Sequence, residues 1–161
     1  MSAELLITSM EKLCTLHKSL YELAVKKTDI IKTGDMDALN QLLKDEQTHI
    51  AAIDRMERER QKAAEVLAPH INQPTVSDCI ELLTMAEQDK LKKVTNDLTD
   101  IVNSLKEQNY LNQQLVHHSL QFVNVSMSLV RPQPENMNYG RPTKNQQPSE
   151  KNTQGMFNSK A

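Results

Sequence analysis

Only three glycines and five aromatic residues occur among the 161 residues of this chain. So few glycines exclude a phosphate-cradling loop enzyme and a turn-rich β protein, because both need backbone that only glycine adopts freely. The two cysteines, Cys14 and Cys79, are far apart and lack metal-type spacing. Their separation leaves a disulfide open, with buried free thiols in a reducing compartment as the preferred reading. No apolar run approaches the roughly 18–20 residues that cross a bilayer. The opening Met-Ser-Ala-Glu-Leu-Leu-Ile has neither a basic start nor a long apolar core, so it does not read as a signal peptide. A cytoplasmic protein without membrane insertion is expected. The net charge of −2 argues against a general nucleic-acid binder. Charge is biased only in the last 31 residues, where five basic and two acidic side chains leave the body at −5.

Chemistry-bearing constellations are also missing. His117 and His118 are adjacent, so on a helix they point about 100° apart and cannot grip one ion as an i, i+4 pair does. The carboxylate pairs Asp45–Glu46 and Glu57/Glu59 lie in charged helical sequence near Lys or Arg, without the desolvation a general acid needs. No P-loop, dinucleotide fingerprint or nucleophile elbow is present. Neither enzymatic activity nor a cofactor or metal is expected.

Helix formers dominate instead. In residues 3–32, Leu6, Leu13 and Leu20 lie seven apart, with Leu16, Leu23 and Ile30 in a second row. This is a coiled-coil-like stripe, interrupted by Lys27. Thr33-Gly34-Asp35 supplies a left-handed helix stop and an N-cap, which predicts an antiparallel hairpin with a second helix over 36–67. Pro69 to Pro74 breaks the chain, and Thr75-x-x-Asp78 predicts a short helix over 76–84. A longer one over 86–130 contains no Pro or Gly. Whether the chain breaks between these two or runs straight on is open, with the polar Glu87-Gln88-Asp89-Lys90 favouring a break.

The long helix carries an apolar seam, Leu91, Val94, Leu98, Ile101 and Leu105, then Leu115, Phe122 and Leu129. Gln108-Asn109-Tyr110-Leu111-Asn112-Gln113-Gln114 interrupts it. That block reads either as a register-fixing amide layer or as a boundary beyond which Leu115 to Leu129 forms a free groove wall. At about 1.5 Å per residue the helix spans roughly 68 Å, more than a domain of this size needs. Residues 131–161, rich in Pro, Asn and Gln, are expected to be a disordered tail. The expected architecture is all-α: a helical hairpin plus a long C-terminal helix in a three-helix bundle over 1–130, followed by that tail.

Several stretches together resemble the FlgN family of flagellar export chaperones. They are the Leu-rich first helix, Thr33-Gly34-Asp35 leading to Ala38-Leu39, and Ile53-Asp54-Arg55-Met56-Glu57-Arg58. Asn109-x-x-Asn112-x-x-Leu115, Ser119-Leu120-Gln121-Phe122-Val123, Asn138-Tyr139-Gly140 and the closing Phe157 to Ala161 follow. The resemblance implies a cytoplasmic chaperone of the hook–filament junction proteins, with client contact in the C-terminal part and delivery to the membrane export gate. Gly140 is followed by Arg141-Pro142 where this family often has a second Gly, so a gate-docking role for Tyr139 and Gly140 follows less directly. The i, i+3, i+4, i+7 spacing needed to hold an amphipathic client helix is met by Leu115, His118, Phe122, Val125 and Leu129, with Leu111 beside them. The alternative is a coiled-coil homodimeric structural or adaptor protein that covers the same face with its own copy.

Overall fold

The computed structural model describes residues 2–130; the expected disordered tail lies outside the described residues. Four helices follow in order: α1 (Ser2–Thr33), α2 (Met36–Leu67), α3 (Val76–Ile80) and α4 (Met85–Val130). Each boundary has a local chemical cause. Gly34 takes a φ of 72° and its N–H bonds the Ile30 carbonyl, which closes α1. Asp35 then accepts from the Ala38 N–H at 3.0 Å and opens α2.

Thr75 and Asp78 form a reciprocal capping box around the start of α3. The third helix is shorter than the expected 76–84, ending at Ile80. Thr84 is the reason: its N–H and hydroxyl both donate to Glu87, at 3.0 and 2.7 Å, and commit the chain to a new helix at Met85. The break is therefore set by a second Thr-x-x-acid pair.

The core sits at one end of the molecule. Leu6, Leu13, Cys79 and Leu91 are fully buried there, with Ile7, Met10, Ala63, Ala64, Ala68 and Leu83 around them. The alanines of α2 let the short α3 approach, and the Cys79 thiol donates to the Ala64 carbonyl at 3.8 Å. Cys14 is buried as well, and both thiols are free. Burial pushes the Cys79 thiol above its ordinary value, with the neighbouring Asp78 carboxylate adding to the effect.

α1 is the central helix. It packs along both α2 and α4, whereas no Cα of α2 comes within 8 Å of one in α4. The wide stripe of α1 accounts for this, since it feeds two neighbours on two sides. Leu43 and Ile50 of α2 consequently remain exposed, although they lie on its apolar rows. Lys27, the interruption in the α1 stripe, reaches across to Glu46 of α2 at 3.0 Å, a partly buried ion pair.

At the other end of the core a polar layer ties α1 to α4. Asn112, only 3% exposed, donates from Nδ2 to the Ala24 carbonyl at 2.8 Å. Its Oδ1 accepts from the buried Thr28 hydroxyl at 2.5 Å, and Gln108 Nε2 donates to the same Thr28 Oγ1 at 2.5 Å. The hydrogen-bonding capacity of the amide is thus used between two helices, which fixes their relative register. Asn112→Ala should destabilise the fold by about 1–3 kcal/mol, because buried polar groups on α1 lose their partner. Thr28→Val with Asn112→Leu, which removes both side chains of the buried pair and leaves the half-buried Gln108 amide to turn to solvent, should cost less. Urea unfolding measures both, and equal stability of Asn112→Ala and the parent would contradict the assignment.

The caps give the fold an acid sensitivity. Hydrogen bonds from the hydroxyl and N–H of Thr75 hold Asp78 below the ordinary 3.8, and the corresponding bonds from Thr84 hold Glu87 below 4.5. Both carboxylates bind protons more weakly in the folded state. Their stabilisation is complete above the unfolded values and is lost as pH falls through the lowered folded values. Thermal melts taken from about pH 5 down to about pH 2 should show Tm falling. The double variant Asp78→Asn, Glu87→Gln should show a shallower fall; identical slopes would contradict the capping account.

Candidate client-binding surface on α4

The site follows from how far α4 outruns its support. Thr28 sits level with Gln108 and Asn112. α1 ends five residues beyond Thr28, whereas α4 continues eighteen beyond Asn112. About 13 residues, roughly 20 Å of helix, therefore project past the hairpin. Among the described residues nothing covers them.

The candidate residues fall on this segment. Phe122 is 73% and Leu129 81% exposed, Val125 and Leu111 are also exposed, and Leu115 is half-buried at the root. With His118 at its edge they make one stripe, which lies away from α2 and is called the outer stripe below. Tyr139 and Gly140 lie outside the described residues.

A second apolar row is present that the seam reading did not separate out. Val116, Leu120, Val123 and Met127 are all exposed and recur at steps of three and four. At about 100° per residue this inner stripe is centred roughly 150° around the helix from the outer one. It faces the side on which α2 stands. Val116 and Leu120 line an open groove of about 520 Å³, together with Leu20 and Ile31 of α1 and Ile50 of α2. Lys27 and Glu46 also line it, with Asn109, Asn112, Gln113 and His117 of α4, so apolar side chains from three helices alternate there with amides and one ion pair. The signal was there in sequence: the inner residues share a helical period of their own, but their shift in phase from Leu115, Phe122 and Leu129 hid it.

Along α4 itself the surface carries no charged side chain, and the Lys27–Glu46 pair at the groove comes from the hairpin. From Gln108 to Val130 the chain has no Asp, Glu, Lys or Arg. His117 faces the groove and His118 the outer side, their ring centroids 6.1 Å apart with planes tilted by 59°. No group of three or more His, Cys, Asp or Glu side chains among the described residues is placed to hold a metal ion. No helix among them is long and apolar enough to cross a membrane. What this arrangement leaves exposed is a broad apolar face along α4, with the Lys27–Glu46 pair at one side.

Residues 1–147 match the family described as FlgN protein. The chain belongs to the FlgN family. That family is one of flagellar export chaperones, and the match includes the entire projecting part of α4. The chain is also 32% identical over 161 residues to "Uncharacterized protein YvyG" of Bacillus subtilis (strain 168), covering 100% of both chains. No solved structure matches. The FlgN match and the four-helix arrangement agree with the fold expected from sequence.

Proposed function

We propose that this FlgN-family chain is a cytoplasmic chaperone that binds hook–filament junction proteins of the flagellum through the projecting end of α4. In this reading it prevents their premature assembly and delivers them to the type III export apparatus at the membrane. The observation that carries it is the row of large apolar side chains exposed on a helix that has outrun its own bundle. Monomeric soluble proteins rarely leave such a contiguous face bare unless something binds there. A client segment awaiting export needs cover of this kind, since it is amphipathic and self-assembles once exposed.

The mechanism is differential burial. A client helix laid along Leu111, Leu115, His118, Phe122, Val125 and Leu129 removes apolar surface from both partners. Each large side chain fully buried contributes about 1.5–3 kcal/mol, offset by the ordering cost of the client and the loss of translational freedom. The surplus is moderate, so the complex is reversible, which a delivery role requires. Tyr139 and Gly140 are proposed as the contact with the export gate, on the strength of the family resemblance. No catalytic step enters this account.

Two measurements test it. Light scattering should find a monomer that shifts to a 1:1 complex on mixing with a purified junction protein. Phe122→Ala combined with Leu129→Ala should weaken that complex about a hundredfold, the loss of roughly 3 kcal/mol of burial. Helicity and Tm should stay near those of the parent, because both residues are exposed. An unfolded variant would place them in the core. A stable dimer that ignores the junction protein would make the face a self-association seam.

A further inference from the structure

On the basis of that client-binding reading, we infer that the projecting part of α4 takes two client helices at once, a helical hairpin of one partner that completes a three-helix bundle beyond the α1–α2 turn. The inner and outer stripes together carry apolar side chains around about 220° of the helix, from Val125 through Leu129, Phe122, Val123 and Met127 to Leu120. A helix facing one neighbour needs an apolar stripe of only about 100°. Ser119 and Ser126 occupy the middle of the arc, and the larger side chains stand to either side of them. The polar remainder, Gln121, Asn124 and Ser128, forms a narrow strip on the far side, with His117 between it and the groove.

Such a surface is shaped like the position α1 itself holds lower in the molecule, one helix between two neighbours. Above the turn at Gly34 no described residue stands beside α4 on either stripe. One client helix would lie along the inner stripe, with its end entering the groove between α2 and α4 at Ile31, Ile50, Val116 and Leu120. The other would lie along Leu115, Phe122 and Leu129. Charge complementarity specifies the chemistry of both. Residues 108–130 carry no Asp, Glu, Lys or Arg. The two charges that line the groove, Lys27 and Glu46, are already paired with each other at 3.0 Å, so a charged contact residue is left desolvated and unpaired. The client helices therefore present apolar residues edged by Ser, Thr, Asn or Gln, and binding is nearly independent of salt.

Isothermal titration of the full-length chain with a purified junction protein separates the two stripes. Leu120→Ala with Met127→Ala removes the inner stripe, and Phe122→Ala with Leu129→Ala the outer. All four residues are exposed, and circular dichroism checks that each variant keeps the parent helicity. The inference predicts that each pair weakens binding at least about tenfold. It also predicts that affinity changes by less than about twofold between about 50 and 500 mM salt. Loss with only one pair means a single client helix and overturns the inference, while chaperone binding stands. A steep salt dependence overturns the neutral interface. Two copies of this chain in the complex would show that a second protomer, not the client, fills one stripe. If the parent does not bind, or neither pair matters, the underlying chaperone reading falls as well.

Discussion

The molecule depends on one buried amide. Asn112 bridges α4 to α1 through the Ala24 carbonyl and the Thr28 hydroxyl, and it lies at the point where apolar packing between these helices gives way. Below it, Leu105, Leu91 and the α1 leucines exclude water. Above it, the same helix carries its apolar side chains into solvent. An apolar contact at this level could slide by a turn and bring the projecting end down onto the hairpin. An amide with both its oxygen and its nitrogen committed cannot, because a shift strands buried polar groups. The polar layer serves as register pin and as boundary at once, the two readings that the sequence left side by side.

The core and the exposed apolar surface are consequently placed at opposite ends. The fully buried side chains gather where α1 begins, α2 ends and α4 begins, closed off by α3 and Cys79. Little beyond Asn112 contributes to that core, so the distal surface is free to be apolar without competing with folding. The same separation explains why the ion pair Lys27–Glu46 lies near the boundary. It fastens α2 to α1 at a level where the apolar rows of α2, at Leu43 and Ile50, are only partly covered.

The hairpin was legible because its signals are local: Gly34 and Asp35 act through their own backbone and side-chain chemistry. The length and continuity of α4 were legible from the absence of Pro and Gly. The extent of α3 is less legible, because the Thr84–Glu87 pair, spaced like Thr75 and Asp78, merges into the polar run from Glu87 to Lys90. That α1 meets two neighbours was legible in the width of its stripe, which Met10, Ala24 and Ile31 extend. That α2 and α4 stay apart was not, since it depends on how the helix faces share area in space. The outer row of candidate residues could be read from its seven-residue spacing. The inner row of Val116, Leu120, Val123 and Met127 has its own period in the sequence, but that it faces α2 required knowing which side α2 occupies.

Hydrogen exchange along α4 in the free protein tests the central claim most directly. An uncovered helix end opens locally, whereas a packed one opens only with the fold. The account predicts strong protection of amides from Leu91 to Asn112 and exchange at least about a hundredfold faster beyond Val116. Uniform protection from Leu91 to Val130 would mean that the projecting face is already covered, and the account would be wrong.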